Sequence, residues 1–451
     1  MAQYTHYYFL GIGGIGMSAI ARYFHRKGGI VSGYDRTLSP LTQRLEQEGI
    51  AIHYQARCQD VPTDREHTLV IYTPAIPADF EELRYVQDKG YTLVKRSRAL
   101  GEIARGQECL AIAGTHGKTT TSTLLAHILT SSSEGCSAFL GGISKNYDCN
   151  LLISDNPVLV AEADEFDRSF LQLFPAIAAI TSADADHLDI YGDKDHVKEA
   201  FAAFAAQTSG SLVIKKGVEI DLSQCKARIY RYAYDSPCDF YASDIVALDK
   251  GLFDFTLNWP GGRIPHCSVG IPGWINVENA IAASAVALLH GTSEEAVREA
   301  LASFRGVSRR FDIRLEQGGI AYVDDYAHHP EEIRSAISSI RNRYPGKRIC
   351  GVFQPHLYTR TRDFCDGFAS ALDTLDELIL LPIYPARELP IPRVSSEMIF
   401  ERMHLADKCL ATKDQLMDIL RSRRIEVLVT FGAGDIDRFV GPITEELQKR
   451  C

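Results

Sequence analysis

The stretch from Ala111 to Thr120 reads AIAGTHGKTT, and its residue types imply chemistry more directly than any other part of the chain. An apolar run leads into Gly114, Thr115, His116 and Gly117, and Lys118, Thr119 and Thr120 then open a helical pattern. Backbone amides released by glycine, the positive end of a helix dipole and one lysine together hold a polyphosphate, while a threonine hydroxyl completes a Mg2+ shell. The GxxxxGK[ST] form would place its first glycine where Ile112 stands, so the loop is a variant of that form.

Three further clusters carry acids, histidines or arginines. Glu162 closes the apolar run Val158 to Ala161 and leads into Ala163, Asp164, Glu165, Phe166 and Asp167. At the carboxyl end of a parallel strand a carboxylate stands beside the phosphate loop and holds Mg2+ directly or through water, although Glu165 and Asp167 equally suit a solvated loop. Asp184, Asp186, His187 and Asp189 follow another strand in the same way. His187 there suggests a neutral ligand to a second cation and, because Mg2+ prefers oxygen, either Mn2+ tolerance or a loosely held ion. Asp324, Asp325, Tyr326, Ala327, His328, His329 and Pro330 read as a site or as an ordinary helix start. The two adjacent histidines point to opposite sides of an extended segment and so seldom share one ion. Last, Gln354 to Arg362 places Arg360 and Arg362 after a strand, where guanidinium groups suit a carboxylate or phosphate.

The elements that must position these groups fall into three segments. Residues 7–10 form a strand followed by Gly11, Gly13, Gly14 and Gly16 and then by a helix with Met17, Ile20, Ala21 and Phe24 on one face. Gly11, Gly13 and Gly16 fit GxGxxG, and Asp35 ends the next strand about 20 residues on, where a ribose-binding acid belongs; taken alone, this points to NAD. Strand and helix alternation carries a Rossmann-like domain to residue 105. A central P-loop domain, residues 106–308, repeats the rhythm as a parallel sheet, with a small antiparallel sheet around 227–270 and helices from Asn276 to Leu289 and, behind a Thr292 to Glu295 capping box, to Phe304. Residues 309–451 form a second Rossmann-like sheet. The fold class is α/β with three domains, and hinges are expected near 105 and 308.

Composition narrows the function classes. A chain of 451 residues, 45% hydrophobic and 24% charged, has the content of an ordinary α/β protein of about three domains. The net charge of −10 argues against nucleic acid as the main partner and leaves an anionic small substrate possible where cations concentrate, at Lys118, at Arg309 with Arg310, and at Arg360 with Arg362. Eleven cysteines without a CxxC pair read as free thiols in a reducing compartment. Neither a signal-peptide pattern nor an apolar run of about 18 residues occurs, so a cytoplasmic protein is expected.

GIGGIGM at 11–17, AGTHGKTT at 113–120, EADE at 162–165, ADADHLDIY at 183–191, GWINVENAIAA at 273–283, RRFD at 309–312, DDYAHHPEE at 324–332, FQPHLYTRTRDF at 353–364 and GAGDI at 432–436 resemble, in this order, the Mur ligases. The resemblance covers the whole chain. It implies ATP-driven amide synthesis in peptidoglycan precursor assembly: the lactyl carboxylate of UDP-N-acetylmuramate is phosphorylated and the amine of L-alanine attacks the acyl phosphate. Position by position, it implies that Gly114 to Thr120 bind ATP, that Thr119 and Glu162 hold one Mg2+ and that His187 lies near a second ion. It further implies Asn276 and Asn279 on the adenine side, Arg310 on the phosphate side and Asp325 against the nucleotide, with Tyr326, His328, His356 and Arg360 around the reacting carboxylate and amino acid. Gly13, Gly14, Ile15, Gly16, Met17, Asp35, Thr73 and Ala75 would hold the uridine diphosphate part, so that the GxGxxG loop binds UDP rather than NAD. Ile275, Leu357 and Arg393 stand where the family usually has histidine, arginine and glycine. A dehydrogenase would leave the phosphate loop without a use, and a binding protein merely gated by nucleotide would need neither Glu162 nor His187.

Overall fold

The computed structural model describes residues 3–184, 188–386 and 388–451, with the side chains of Leu188 and Asp189 left aside. Among the described residues no helix is long and apolar enough to cross a membrane. The first sheet is fully parallel and sets Ala51–His53, Ile30–Tyr34, His6–Leu10, Thr68–Tyr72 and Thr92–Lys95 side by side. Its central strand turns at Gly11 into the helix Ile15–Arg26. Gly11 has φ +86° and a Cβ there would lie 2.7 Å from the Thr73 methyl, so the turn admits only glycine without rearrangement. The helix then buries Met17, Ala19, Ile20, Ala21 and Phe24 against the sheet.

The second sheet has ten strands in the order Gly262–Ser268, Phe253–Trp259, Phe240–Ala247, Arg228–Ala233, Ser211–Lys215, Ile177–Ile180, Glu108–Ala113, Val158–Ala163, Ser137–Ser144 and Cys149–Leu152. The middle strands pair in parallel and are buried on both faces, as the apolar runs predict. The strands expected around 227–270 are attached to the same domain, as the continuous end of its sheet. Arg228–Ala233 pairs in parallel with Ser211–Lys215 and then with Phe240–Ala247, so this region extends the central sheet, and its half-exposed strands reflect an outer position. The hydroxyl that accepts from the start of helix Glu294–Ser303 belongs to Ser293, one residue beyond the Thr292 expected.

The third sheet runs Asp312–Gln317, Ile320–Asp325, Val427–Phe431, Ile349–Phe353, Glu377–Leu380 and Lys408–Leu410. Only its first pair is antiparallel. The carboxyl ends of Ile320–Asp325, Ile349–Phe353 and Val427–Phe431 therefore share one edge, and the Asp324, Gln354 and Gly432 segments emerge there.

Two compact units result. Residues 1–243, 257–265 and 279–301 form one, and 244–256, 266–278 and 302–451 form the other. Residue 105, expected as a hinge, thus lies inside the first unit. Within that unit a buried polar latch ties its first two sheets together. Arg22, 1% exposed, makes a two-pronged ion pair with Glu48 and donates to Asn150 Oδ1, while Asn150 Nδ2 donates to Ile15 O at 2.6 Å and Ser18 Oγ at 3.0 Å. The glycine-loop helix is thereby tied to the edge hairpin of the central sheet. Arg22→Ala leaves the buried Asn150 Oδ1 without its donor and opens a void, and is expected to cost about 2–3 kcal/mol. This reads as a lower urea midpoint of unfolding, and a midpoint equal to the parent's would contradict the latch.

Candidate functional site

The phosphate loop forms as its sequence predicts. Strand Glu108–Ala113 ends at Gly114 with φ +139°, and Gly117 with φ +82° caps helix Lys118–Ser131. Both glycines are enforced by neighbours as well as by φ. A Cβ on Gly114 would meet Thr181 Oγ1 at 2.0 Å, and one on Gly117 would meet Asn279 Oδ1 at 2.8 Å. Thr181 and Ser182, which sequence reasoning passed over, shape the loop from the next strand end. Thr181 Oγ1 donates to Ala113 O at 3.1 Å, and Ser182 Oγ accepts from His116 N at 2.8 Å and lies 2.8 Å from Thr115 Oγ1.

Lys118 donates to Gly114 O at 2.6 Å and lies 2.8 Å from Glu165. Burial acts to lower its pKa, but Glu165, Asp164 and Glu162 outweigh burial and push it up to about 12, so the ammonium stays charged. Glu165 is 1% exposed, which decides between the two readings left open for it: it is the lysine's partner and not part of a solvated loop. Asp167 lies closer to the other reading, in an exposed ion pair with Lys95. Glu162, opposite Ile112 in the sheet register, accepts from Thr119 Oγ1 at 3.1 Å, Ser122 Oγ at 3.4 Å and Gly141 N at 3.1 Å. A hydroxyl and a carboxylate joined this way are an all-oxygen donor pair of the kind a hard divalent cation takes beside phosphate. Among the described residues no group of three or more His, Cys, Asp or Glu is arranged to hold a metal, and Asp186 and His187 lie outside those residues. Asp184 is exposed, 3.6 Å from His116 Nε2.

At the first sheet, Asp35 Oδ2 accepts from Gly13 N at 2.8 Å and Oδ1 from Thr37 N at 2.9 Å, so this acid shapes the glycine loop itself. Gly14, Ile15 and Gly16 lie at the helix start, Thr73 touches the loop through Gly11, and Ala75 is exposed nearby. The Met17 side chain is 1% exposed in the core, which leaves only its backbone for a ligand.

The second unit gathers its own cluster. Asp325 Oδ2 accepts from Phe311 N and Oδ1 from Ala327 N, both at 2.8 Å, and the Arg310 guanidinium stacks 4.7 Å from the Tyr326 ring. His328 Nδ1 donates to Tyr326 O at 2.9 Å, which makes Nε2 its basic nitrogen. The His328 and His356 rings are 5.9 Å apart, and Arg360 Nη1 lies 3.3 Å from His356 Nδ1. His329 turns the other way, onto Phe364, as the extended backbone predicts. Asn276 donates to Pro272 O at 2.6 Å. Leu357, standing where the family has arginine, is buried and has φ +72°; Arg393, standing for glycine, has φ +65°.

Family models describe successive parts of the chain: residues 6–108 match the Mur ligase family catalytic domain, 112–287 the Mur ligase middle domain and 309–434 the Mur ligase glutamate ligase domain. The chain belongs to the Mur ligase family. It is 49% identical to a UDP-N-acetylmuramate–L-alanine ligase of Porphyromonas gingivalis across 98% of this chain and 99% of that one, and 44% identical to one of Christiangramia forsetii across 98% and 97%. Among solved structures, a UDP-N-acetylmuramate-alanine ligase from Thermotoga maritima superimposes with a TM-score of 0.85 at 27% identity, covering 99% of this chain and 100% of that one. A murein peptide ligase from Psychrobacter arcticus shares the fold, with a TM-score of 0.74 at 22% identity.

Within this Mur ligase, the surroundings of Asp325 hold its carboxyl above the ordinary aspartate range. Burial raises its pKa to about 6, against the opposing pull of Arg310 and two backbone amides. An unfolded aspartate ionises near 3.8, so ionisation of Asp325 opposes folding increasingly from about pH 4 to about pH 6 and constantly above that. A carboxyl titration followed by NMR is expected to show a midpoint near 6 that rises further in Arg310→Ala. A midpoint in the ordinary aspartate range, or one that falls when Arg310 is removed, contradicts this account.

Proposed function

We infer that this chain is an ATP-dependent ligase that joins L-alanine to the lactyl carboxylate of UDP-N-acetylmuramate in peptidoglycan precursor synthesis. The observation that carries the reading is a phosphate loop whose lysine and threonine are each engaged by a carboxylate, in a chain matching ligases of this name along its whole length. Residues 1–105 take the sugar nucleotide through the loop Gly13–Met17 with Asp35, Thr73 and Ala75. Residues 106–308 take ATP through Gly114–Thr120, with Asn276 and Asn279 toward adenine. Residues 309–451 supply Arg310 and Asp325 to the nucleotide, and Tyr326, His328, His356 and Arg360 to the carboxylate and amino acid. Free cysteines and substrates drawn from the ATP and sugar-nucleotide pools fit a cytoplasmic enzyme.

The chemistry requires what these residues offer. A carboxylate is a poor electrophile, so its oxygen first attacks the γ-phosphorus and ADP leaves; the alanine nitrogen then attacks the acyl carbon, phosphate leaves and one proton is released. Lys118 neutralises charge at the transferring phosphoryl group. Thr119 and Glu162 would hold Mg2+, or Mn2+, with His187 near a second ion; when bound, the cation offsets phosphate charge. Arg360, 5% exposed beside His356, orients an anionic group, and the basic Nε2 of His328 accepts the amine proton.

Sustained ADP formation is expected only with UDP-N-acetylmuramate, ATP and L-alanine together, since without L-alanine the reaction stops at the acyl phosphate. Phosphate release independent of both other substrates, or preference for a tripeptide acceptor over L-alanine, glycine and L-serine, overturns the reading. Lys118→Ala is expected to lower ADP formation by at least ~100-fold, whereas Arg360→Ala chiefly raises KM for the substrate; near-normal turnover in the lysine variant contradicts the loop assignment.

A further inference from the structure

Arg96 opens helix Arg96–Ala104 directly after strand Thr92–Lys95, at the carboxyl end of the first sheet. Its guanidinium lies on the glycine loop: a Cβ built on Gly16 would stand 2.6 Å from Nη1 and 3.5 Å from Cζ, so the missing side chain of Gly16 is what admits it. On its other side Nη2 donates to Asp164 Oδ2 at 3.0 Å, an ion pair whose two side chains keep 20% and 33% of their exposure. Solvent therefore reaches the pair.

A guanidinium beside the first turn of helix Ile15–Arg26 is opposed by the positive end of that helix, and Asp164 supplies one compensating charge to this doubly positive place. The first-turn amides of Ile15, Gly16 and Met17 have no acceptor within the helix, and that of Gly13 is already taken by Asp35. A diphosphate supplies both the missing charge and the acceptors, and guanidinium is the side-chain group that matches its oxygens two at a time.

We propose that Arg96 is a substrate-binding residue that holds the diphosphate of the sugar nucleotide, exchanging Asp164 for phosphate oxygens as the nucleotide enters. The proposal rests on the assignment of the first domain to the sugar nucleotide. It also links the two loops. Asp164 adjoins Glu165, the partner of Lys118, so filling the glycine loop releases a carboxylate beside the phosphate loop.

Calorimetric titration of the full chain with UDP and, separately, with uridine tests it. The parent is expected to bind UDP more tightly than uridine. Arg96→Ala should weaken UDP about 10- to 100-fold and leave uridine unchanged, with Arg96→Lys between. Unchanged UDP affinity in Arg96→Ala overturns the proposal, as does an equal loss of UDP and uridine, the mark of a merely structural arginine. If the alanine variant does not fold, the lysine variant decides: a reduced preference for UDP over uridine supports the contact and an unchanged preference overturns it. A parent that binds neither compound overturns the assignment of the first domain itself, a separate result.

Discussion

The ammonium of Lys118 cannot be buried without an anion beside it, and much of the first unit is arranged around that requirement. Glu165 meets it at 2.8 Å, and it does so because strand Val158–Ala163 lies next to the loop strand with Glu162 opposite Ile112, delivering the acidic run to the mouth of the loop. The same run engages Thr119 through Glu162 and Arg96 through Asp164. Three acidic contacts thus hold Lys118, Thr119 and Arg96 in order, with carboxylates standing beside the cations. An enzyme that joins anions needs such stand-ins, since the cations it gathers would otherwise repel one another.

The second unit uses backbone strain as well as charge. Arg309, Phe311 and Leu357 all adopt left-handed φ values, an unusual density for non-glycine residues, and they flank Arg310 and His356. Each is fixed by neighbours. Asp324 takes the Arg309 guanidinium at 3.1 Å, Asp325 takes the Phe311 amide, and the Leu357 amide donates to Tyr384 O. The conformations around Arg310 and His356 are therefore maintained by a buried and a half-buried carboxylate and a paired backbone that are themselves part of the cluster.

What could be read in the residues was what is local. The strand, loop and helix around Lys118, the glycine turn at Gly11 and the opposed directions of His328 and His329 depend on a few consecutive residues, and all three formed as expected. Partnerships across the sheet were not legible. Glu165 reaches Lys118 over 47 positions and Arg96 reaches Asp164 over 68, so their roles depend on strand order, which no single segment encodes. Asp35 shows the limit of spacing arguments: it stands where a ribose acid belongs, yet its oxygens hold the loop backbone. The alternating strands around 227–270 were legible as an attachment to the central domain, but not their order at the end of its sheet.

The Arg22 latch has a consequence for the order in which the protein is made. Its partner Asn150 follows 128 residues later, so a nascent chain holding only the first sheet has the Arg22 guanidinium with one of its two partners not yet in place. The last strand of that sheet ends at Lys95, 55 residues before Asn150, and at roughly 5–20 residues per second the gap lasts about 3–11 s. Until the hairpin at Cys149–Leu152 emerges, the glycine-loop helix lacks the contact that seats its first turn, and the first domain completes itself only together with the second.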